Sequence, residues 1–512
     1  MIDFEYYTKT YDDDNNNMFE EPSKSLDEPT TSTDDSKKDY GTNKCMQILC
    51  TRSLLCSAIY FALAYFIQGI TDIASGFVNL PLQTILKDRL HLSPSQMGTF
   101  FFTCTVTWSI KPLYGILSDF VPICGYHRLI YLLVTTAINL CAWIALYFAP
   151  TEYNYLLIFC VLAAFSLAFN DVLIDALMIS IGRPLALIGT LQGIQQTSAK
   201  LAATISQIPA GILASNSVSF QYNQTLNNNN NTLKNIKQNS DLNKYIFLIA
   251  AACPIILFFA TLITVRERRR KLNKNNFTQT WSILSGIFQY KRFWIIAIFL
   301  FIYSASPQIK TALFYYQRDK LHFNPFYVSI LNTLYNGCGI LSALLYLSIF
   351  SHYPTKRVLR IAIVMRIFAV ASYLFAIDKM TSICVAIITG FCSEITNLAI
   401  LHLAAKSCPK NIEGTLFALF VSCVNFGAAT GDWLGSIIYQ YLGFIALIII
   451  AIIWIGTTIL VTCHINEHGI NSTPDDDDEI DDKYHYYNVI EKQIQTIENE
   501  DSDDKETNCS SG

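Results

Sequence analysis

Residues 87–94 read KDRLHLSP, and residues 318–325 read RDKLHFNP. The two strings lie 231 residues apart, each just ahead of a long apolar run. A second pair keeps nearly the same offset: IGTLQG at 188–193 and EGTLFA at 413–418 stand 225 residues apart. One matched string is within reach of chance. Two pairs at matched places read as an internal duplication, with the second half of the chain repeating the first in the same orientation.

Outward from these strings, apolar runs recur that are long enough to cross a hydrocarbon core, which takes about 20 residues each. Twelve are expected, near 53–80, 94–117, 129–149, 154–181, 185–214, 244–265, 292–315, 326–350, 358–377, 381–405, 412–440 and 442–463, and are numbered here as spans 1 to 12. The duplicated strings then precede spans 2 and 8, and the second pair opens spans 5 and 11. The fold class is therefore an all-α membrane protein of twelve transmembrane helices in two parallel six-helix repeats, the arrangement of major facilitator transporters. Their substrate sites lie near the bilayer midplane, between halves that rock to alternate access.

Composition agrees. The chain has 512 residues, of which 15% are charged and 52% hydrophobic, with a mean hydropathy of +0.32. Soluble domains carry about 25% charge. Residues 1–43 hold 12 acids and 4 bases, and residues 465–512 hold 15 acids and 3 bases, so the body between keeps 13 acids against 29 bases. A basic, apolar body between two acidic tails excludes a soluble enzyme, a nucleic-acid binder and a disulfide-rich secreted domain. No Walker A loop, GxSxG or HExxH is present, so no catalytic set, metal site or cofactor is expected.

The organisation follows from these runs. Residues 1–52 form an acidic tail too poor in apolar surface to order, without the basic start and apolar run of a signal peptide. Residues 53–265 form the first six-helix bundle, 266–291 a basic central loop, 292–463 the second bundle and 464–512 a second acidic tail. Lys and Arg concentrate in the central loop, between spans 8 and 9, and ahead of span 1, which puts both termini in the cytoplasm. Lys87 with Arg89, and Arg318 with Lys320, fall outside against that trend, each pair diluted by an aspartate. The asparagine-rich loop 216–243 also falls outside. Its sequons at Asn223 and Asn230 read as composition drift rather than as used glycosylation sites. The fifteen cysteines, scattered through the spans, act as small apolar residues.

Ionisable residues within spans are costly and mark function by default. The acids are Asp72 in span 1, Asp171 and Asp175 in span 4, Glu394 in span 10 and Asp432 in span 11; the bases are Lys111, Lys200, Lys310 and Arg366. Asp171 and Asp175, spaced i, i+4, share one helix face. They make either a proton site or one side of a structural ion pair with Lys111 or Lys200. All five acids are candidates for proton coupling. Lys200 follows the polar run Gln192, Gln195, Gln196, Thr197 and Ser198, which implies a cavity wall. Lys200, Gln196 and Lys310 are candidate contacts for an anionic substrate. Arg366 reads first as a partner of Glu394 or Asp432, and second as a further substrate contact.

The stretch LKDRLHLSPSQMGTFFFTCTVTWSIKPLYGILSDFVPICGYHRLIY, residues 86–131, closely resembles the folate–biopterin transporter family of the major facilitator superfamily. NDVLIDAL at 170–177 and EGTLFALFVSCVNFG at 413–427 are similar to that family too. The resemblance spans roughly 60–460 and leaves out the tails and the asparagine-rich loop. It implies uptake of folates, pterins or related anions, commonly driven by protons. Some members are specialised for other metabolites such as S-adenosylmethionine, and p-aminobenzoate or a non-transporting sensor of the same fold are further alternatives. Lys111, Gly115, Asp119 and Arg128 resemble the superfamily's conformational latch, with His127 where the family usually has a second basic residue. Lys200 matches no family landmark. The partners expected are a small anionic substrate, the proton and membrane lipid, with no nucleic acid. The plasma membrane is the expected location.

Overall fold

The computed structural model describes residues 2–3, 54–182, 187–226, 245–267, 269, 288, 291–350, 353–408 and 413–464. Most of both acidic tails, most of the central loop and Asn230 lie outside the described residues.

Helix follows helix. In chain order they are α1 (Leu54–Thr71), α2 (Asn79–Thr84), α3 (Pro94–Thr105), α4 (Lys111–Phe120), α5 (Leu129–Phe148), α6 (Tyr153–Gly182) and α7 (Ile188–Leu226). Then come α8 (Tyr245–Thr264), α9 (Lys291–Ser304), α10 (Lys310–Tyr315), α11 (Pro325–Ser348), α12 (Thr355–Ser372), α13 (Lys379–Lys406) and α14 (Glu413–His464). Extended pieces are short: Ile2–Asp3 runs parallel to Val265–Arg266. Helix covers most of each expected span among the described residues. Among the described residues eight helices are long and apolar enough to cross a membrane, and one of them, α14, holds spans 11 and 12. They meet at Gly443, whose φ of 84° is a conformation glycine adopts without a Cβ clash. Spans 2, 5 and 7 fall short of that measure for visible reasons. Span 2 carries a 3₁₀ turn at Val106–Ile110 followed by Lys111, span 5 its glutamine run, and span 7 a break.

That break, and one like it in span 1, corrects the expectation of continuous helices over 53–80 and 292–315. α1 stops at Thr71 and α2 starts at Asn79; α9 stops at Ser304 and α10 starts at Lys310. The 231-residue offset carries 72–78 onto 303–309, so the interruption is duplicated with the sequence. The strings beyond it repeat their conformation as well. α2 runs into a π turn at Ile85–Arg89, and α10 into one at Tyr316–Lys320. His91 (φ 50°) and His322 (φ 51°) then turn the chain left-handed. Ser93 caps α3 through the Gln96 amide, and Asn324 caps α11 through the Phe326 amide, with a proline at the first position of each helix.

The described chain forms two compact units, residues 1–82 with 117–271, and residues 83–116 with 272–512. In the first, α5 packs on α6 and α8, with Trp143 wholly buried and its indole N–H donated to Asn139. In the second, α11 and α12 pack on α13, and α9 packs on α14 around Phe293, Phe299, Phe420 and Ile455. α3 also lies along α14. A Cβ on Gly98 would meet Ser436, Trp433 donates to Thr99, and Gln440 accepts from the Ser95 amide. The outer helix faces carry exposed Ile59, Ile158, Phe259, Leu341, Val364 and Ile453, as suits side chains dissolved in lipid. At the water boundary Asp378 caps α13 in a capping box with Thr381. The Thr381 backbone N–H holds the Asp378 carboxyl below the usual carboxylate range.

Candidate functional site

In the first unit the site grows from the facing surfaces of α1 and α6. Gln68 donates its amide to Asp171 Oδ1 at 2.9 Å, and Tyr65 donates its hydroxyl to Asp175. Residues three apart on α1 thus meet residues four apart on α6, which is how two helix faces register. Asp171 and Tyr65 are 4% and 2% exposed. Both donors are neutral and share hydrogen atoms with the carboxylates without cancelling charge. Tyr65 and Gln68 were not singled out in the sequence. The signal was present as an i, i+3 polar pair on an apolar run.

The break follows within one turn. Asp72 accepts from the Ala74 amide at 3.2 Å and from the Ser75 hydroxyl, so its carboxylate closes the first turn of the interruption. Gln207 of α7 donates to the Ser75 carbonyl at 2.9 Å, and Asn79 to that of Ile73 at 2.8 Å. Side chains therefore satisfy backbone groups that the lost helix would have satisfied. α7 comes close enough that a Cβ on Gly69 would stand 2.3 Å from the Ala199 carbonyl oxygen. Lys200, partly buried, is the next residue on α7. On the same helix Gln196 is exposed, while Gln195 is fully buried with neither amide atom hydrogen-bonded within the described structure.

Around the foot of α4, Asp119 lies 3.9 Å from Arg128, whose guanidinium also donates to the Ala176 carbonyl at 3.0 Å. His127, the departure from the family pattern, places Nδ1 3.2 Å from the Ser118 carbonyl. Glu267, unremarked in the sequence, accepts the backbone amides of His127, Arg128 and Leu129, each at 2.9 Å. It is an anion on the N-terminus of α5, where the helix dipole favours one. A lone acid at the start of a basic loop was the available signal.

In the second unit, Lys111 lies over the Trp108 ring at 4.6 Å, and Gly115 follows one turn on. The break between α9 and α10 is held from both sides. Arg366 of α12 donates to Ser306 Oγ at 2.6 Å and to the Tyr303 carbonyl at 3.3 Å, with its guanidinium 4.5 Å over the Tyr303 ring. Asp432 of α14 accepts the Thr311 amide at 3.0 Å and the Thr311 hydroxyl at 2.8 Å. A cation thus sits at the C-terminal end of α9 and an anion at the N-terminal end of α10, each where the helix dipole is favourable. This gives Arg366 and Asp432 work at the break beyond the pairing weighed for them. Lys310, the first residue of α10, is exposed, and Glu394 of α13 faces Gly339 of α11.

Among the intramembrane candidates, the structure brings Asp72, Asp171 and Asp175 to one break and its neighbours, and Arg366, Lys310 and Asp432 to the other. A span with unwound backbone, flanked by helix ends and ionisable side chains, can hold a small polar solute or an ion.

The comparisons agree with this architecture. The BT1 family model matches residues 68–226 and 230–458. A folate-biopterin transporter of Synechocystis sp. is 25% identical over 399 residues, covering 74% of this chain and 74% of the relative. Folate transporter 1 of Plasmodium falciparum is 23% identical over 375 residues, covering 70% and 69%. Among solved structures, the major facilitator superfamily transporter FucP in an outward conformation superposes with a TM-score of 0.57 at 14% identity, covering 80% of this chain and 98% of that one. The fold is that of major facilitator transporters, and the chain, an integral membrane protein, belongs to the BT1 family.

Proposed function

We propose that this chain is a secondary active transporter that moves a folate, a pterin or a related small organic anion by alternating access, coupled to protons. Both termini lie in the cytoplasm, and the plasma membrane is the site of action. The observation that carries the reading is the matched pair of breaks in spans 1 and 7, each lined by ionisable side chains. Discontinuous helices at mid-membrane are where transporters bind solute and coupling ion. The substrate class comes from the relatives, which are named for folate and biopterin. In this reading Asp171, with Asp175 beside it, takes the proton, and Asp72, Glu394 and Asp432 are the further acids. Lys200, Lys310, Gln196 and Arg366 face the anion, and Lys111, Gly115, Asp119 and Arg128 form the inner latch.

The test is uptake of labelled folic acid into cells expressing the chain, at mildly acidic and at neutral external pH, with and without a protonophore. The expected result is uptake that rises in acid and collapses with protonophore. Uptake indifferent to both would remove the proton. Its absence, with the protein present at the cell surface, would remove folate and turn the same assay to pterins, p-aminobenzoate and S-adenosylmethionine.

A further inference from the structure

The duplicated strings carry charges that the transport reading leaves unused. In the structure they meet. Lys87 Nζ lies 2.6 Å from Asp319, and Arg318 Nη2 lies 3.0 Å from Asp88. The 231-residue offset carries Lys87 onto Arg318 and Asp88 onto Asp319. The first cation therefore binds the second acid, and the second cation binds the first acid. This is the reciprocal pattern of a two-fold contact, in which each surface is its own complement.

The neighbouring carbonyls do not share that symmetry: one contact crosses between the strings and the other stays within one. Leu92 and Phe323 are equivalent positions just past the left-handed histidines. The Leu92 carbonyl accepts the Tyr315 hydroxyl at 2.5 Å, and the Phe323 carbonyl accepts Arg318 Nη1 at 2.9 Å. The Lys87 ammonium also stands 4.5 Å over the Tyr315 ring. Both strings hold non-glycine residues at positive φ, conformations that persist where surrounding contacts over-determine them.

We propose that Lys87, Asp88, Arg318 and Asp319 form an outer gate: a charge clamp, closed in this structure, whose two bonds break together once in each transport cycle. The proposal rests on the transporter reading above. Its physical case is the choice of charge at this place. An apolar seal of the same size would lose its whole hydrophobic contribution on opening. Ion pairs at an aqueous rim exchange partner for water at small net cost, so they suit a contact that must be made and unmade. The burial is graded accordingly. The Lys87, Arg318 and Asp88 side chains are 15%, 13% and 20% exposed, while Asp319 is 49% exposed and opens the clamp to solvent. Because the contact is reciprocal, reversing one charge spoils one bond and sets two like charges together, and exchanging both charges of a pair restores it.

The experiment places a reporter beneath the clamp. Gln83 is one helical turn before Lys87 and 6% exposed. Gln83→Cys in the full-length chain, in intact cells, is treated with a membrane-impermeant thiol reagent, and labelling is counted over that of the chain with Gln83 intact. Arg318→Asp is expected to speed labelling at position 83 about tenfold, in proportion to the open population. Lys87→Gln, a milder change, raises it less. The exchange Asp88→Arg with Arg318→Asp returns it to the starting rate. Labelling that stays at the starting rate in Arg318→Asp at the cell surface, or a rise that the exchange leaves in place, overturns the gate. Folic acid uptake is measured on the same cells. Labelling that follows the clamp with no uptake even by the chain with an intact clamp leaves the gate standing and removes the folate reading. Uptake with labelling indifferent to the clamp removes the gate alone.

Discussion

A buried carboxylate needs its charge neutralised or its oxygens occupied. Asp171 has Gln68 at 2.9 Å, and Asp175 has the Tyr65 hydroxyl. The i, i+4 spacing of the two acids made them legible as one face of span 4. Their donors were not, because a tyrosine and a glutamine in an apolar run are ordinary until a second helix is laid against them. Asp171→Asn keeps the shape and an oxygen for Gln68 but cannot carry a proton. The expected outcome is normal surface protein whose uptake no longer rises in acid and no longer collapses with protonophore. An Asn variant that still accumulates substrate against its gradient would move the proton elsewhere. Arg366 and Asp432 show the reverse case. Both were legible as intramembrane charges, but their partners, Ser306, Tyr303 and Thr311, come from a break that hydropathy does not show.

At the scale of elements, the break in span 7 is paired with glycines of α14. Gly427, Gly431 and Gly435 recur every fourth residue and so line one face. A Cβ at Gly431 would stand 2.5 Å from the Ser306 carbonyl oxygen, and one at Gly435 only 1.9 Å from that of Gln308. Both neighbours are backbone and cannot swing aside. The Gln308 amide donates to the Gly431 carbonyl at 2.9 Å, so the unwound strand is hydrogen-bonded to the helix it crosses. Gly435→Ala is therefore expected to lower stability by about 1–3 kcal/mol, the cost of overpacking a fitted contact. A thermal-shift or fluorescence-detected size-exclusion assay in detergent reads this as an earlier loss of the monodisperse peak. Gly456→Ala, where nothing lies within 4 Å of the added atom, is the control and should stay within about 0.5 kcal/mol of the parent. Equal behaviour of the two variants would mean that the break tolerates displacement.

At the scale of the molecule, the placement of lysine and arginine in the loops is the basis of the proposed orientation. In that topology the bases ahead of span 1, in the central loop and between spans 8 and 9 share one side of an even number of crossings. An epitope at either terminus should therefore be stained in permeabilised cells and not in intact ones. Staining of intact cells would invert the topology and with it the outer placement of the clamp. The division into compact units does not follow the two sequence repeats. Residues 83–116 group with 272–512, since α3 is stitched to α14 by Gly98, Thr99 and Ser95, and the duplicated strings hold one another by their charges.

Spans and duplication could be read from the chain, and an orientation proposed from it, because each rests on a one-dimensional property. Apolar length, the placement of lysine and arginine, and a repeated string need no partner to be recognised, and the family motifs at 86–131, 170–177 and 413–427 are local as well. Folding added everything that depends on a second segment. Spans 1 and 7 look continuous because apolar runs flank their breaks on both sides, although Asp72, Ser75 and Gly76 stand in one and Ser306, Pro307 and Gln308 in the other. They unwind because Gln207, Asn79, Arg366 and Asp432, each distant from the interruption or just beyond it, supply the hydrogen bonds the helix gives up. The strings at 87–94 and 318–325 were visible as a repeat, with charges on the unexpected side of the membrane. That each cation answers the other copy's acid is a fact of three-dimensional pairing, since complementarity exists only between two surfaces brought together.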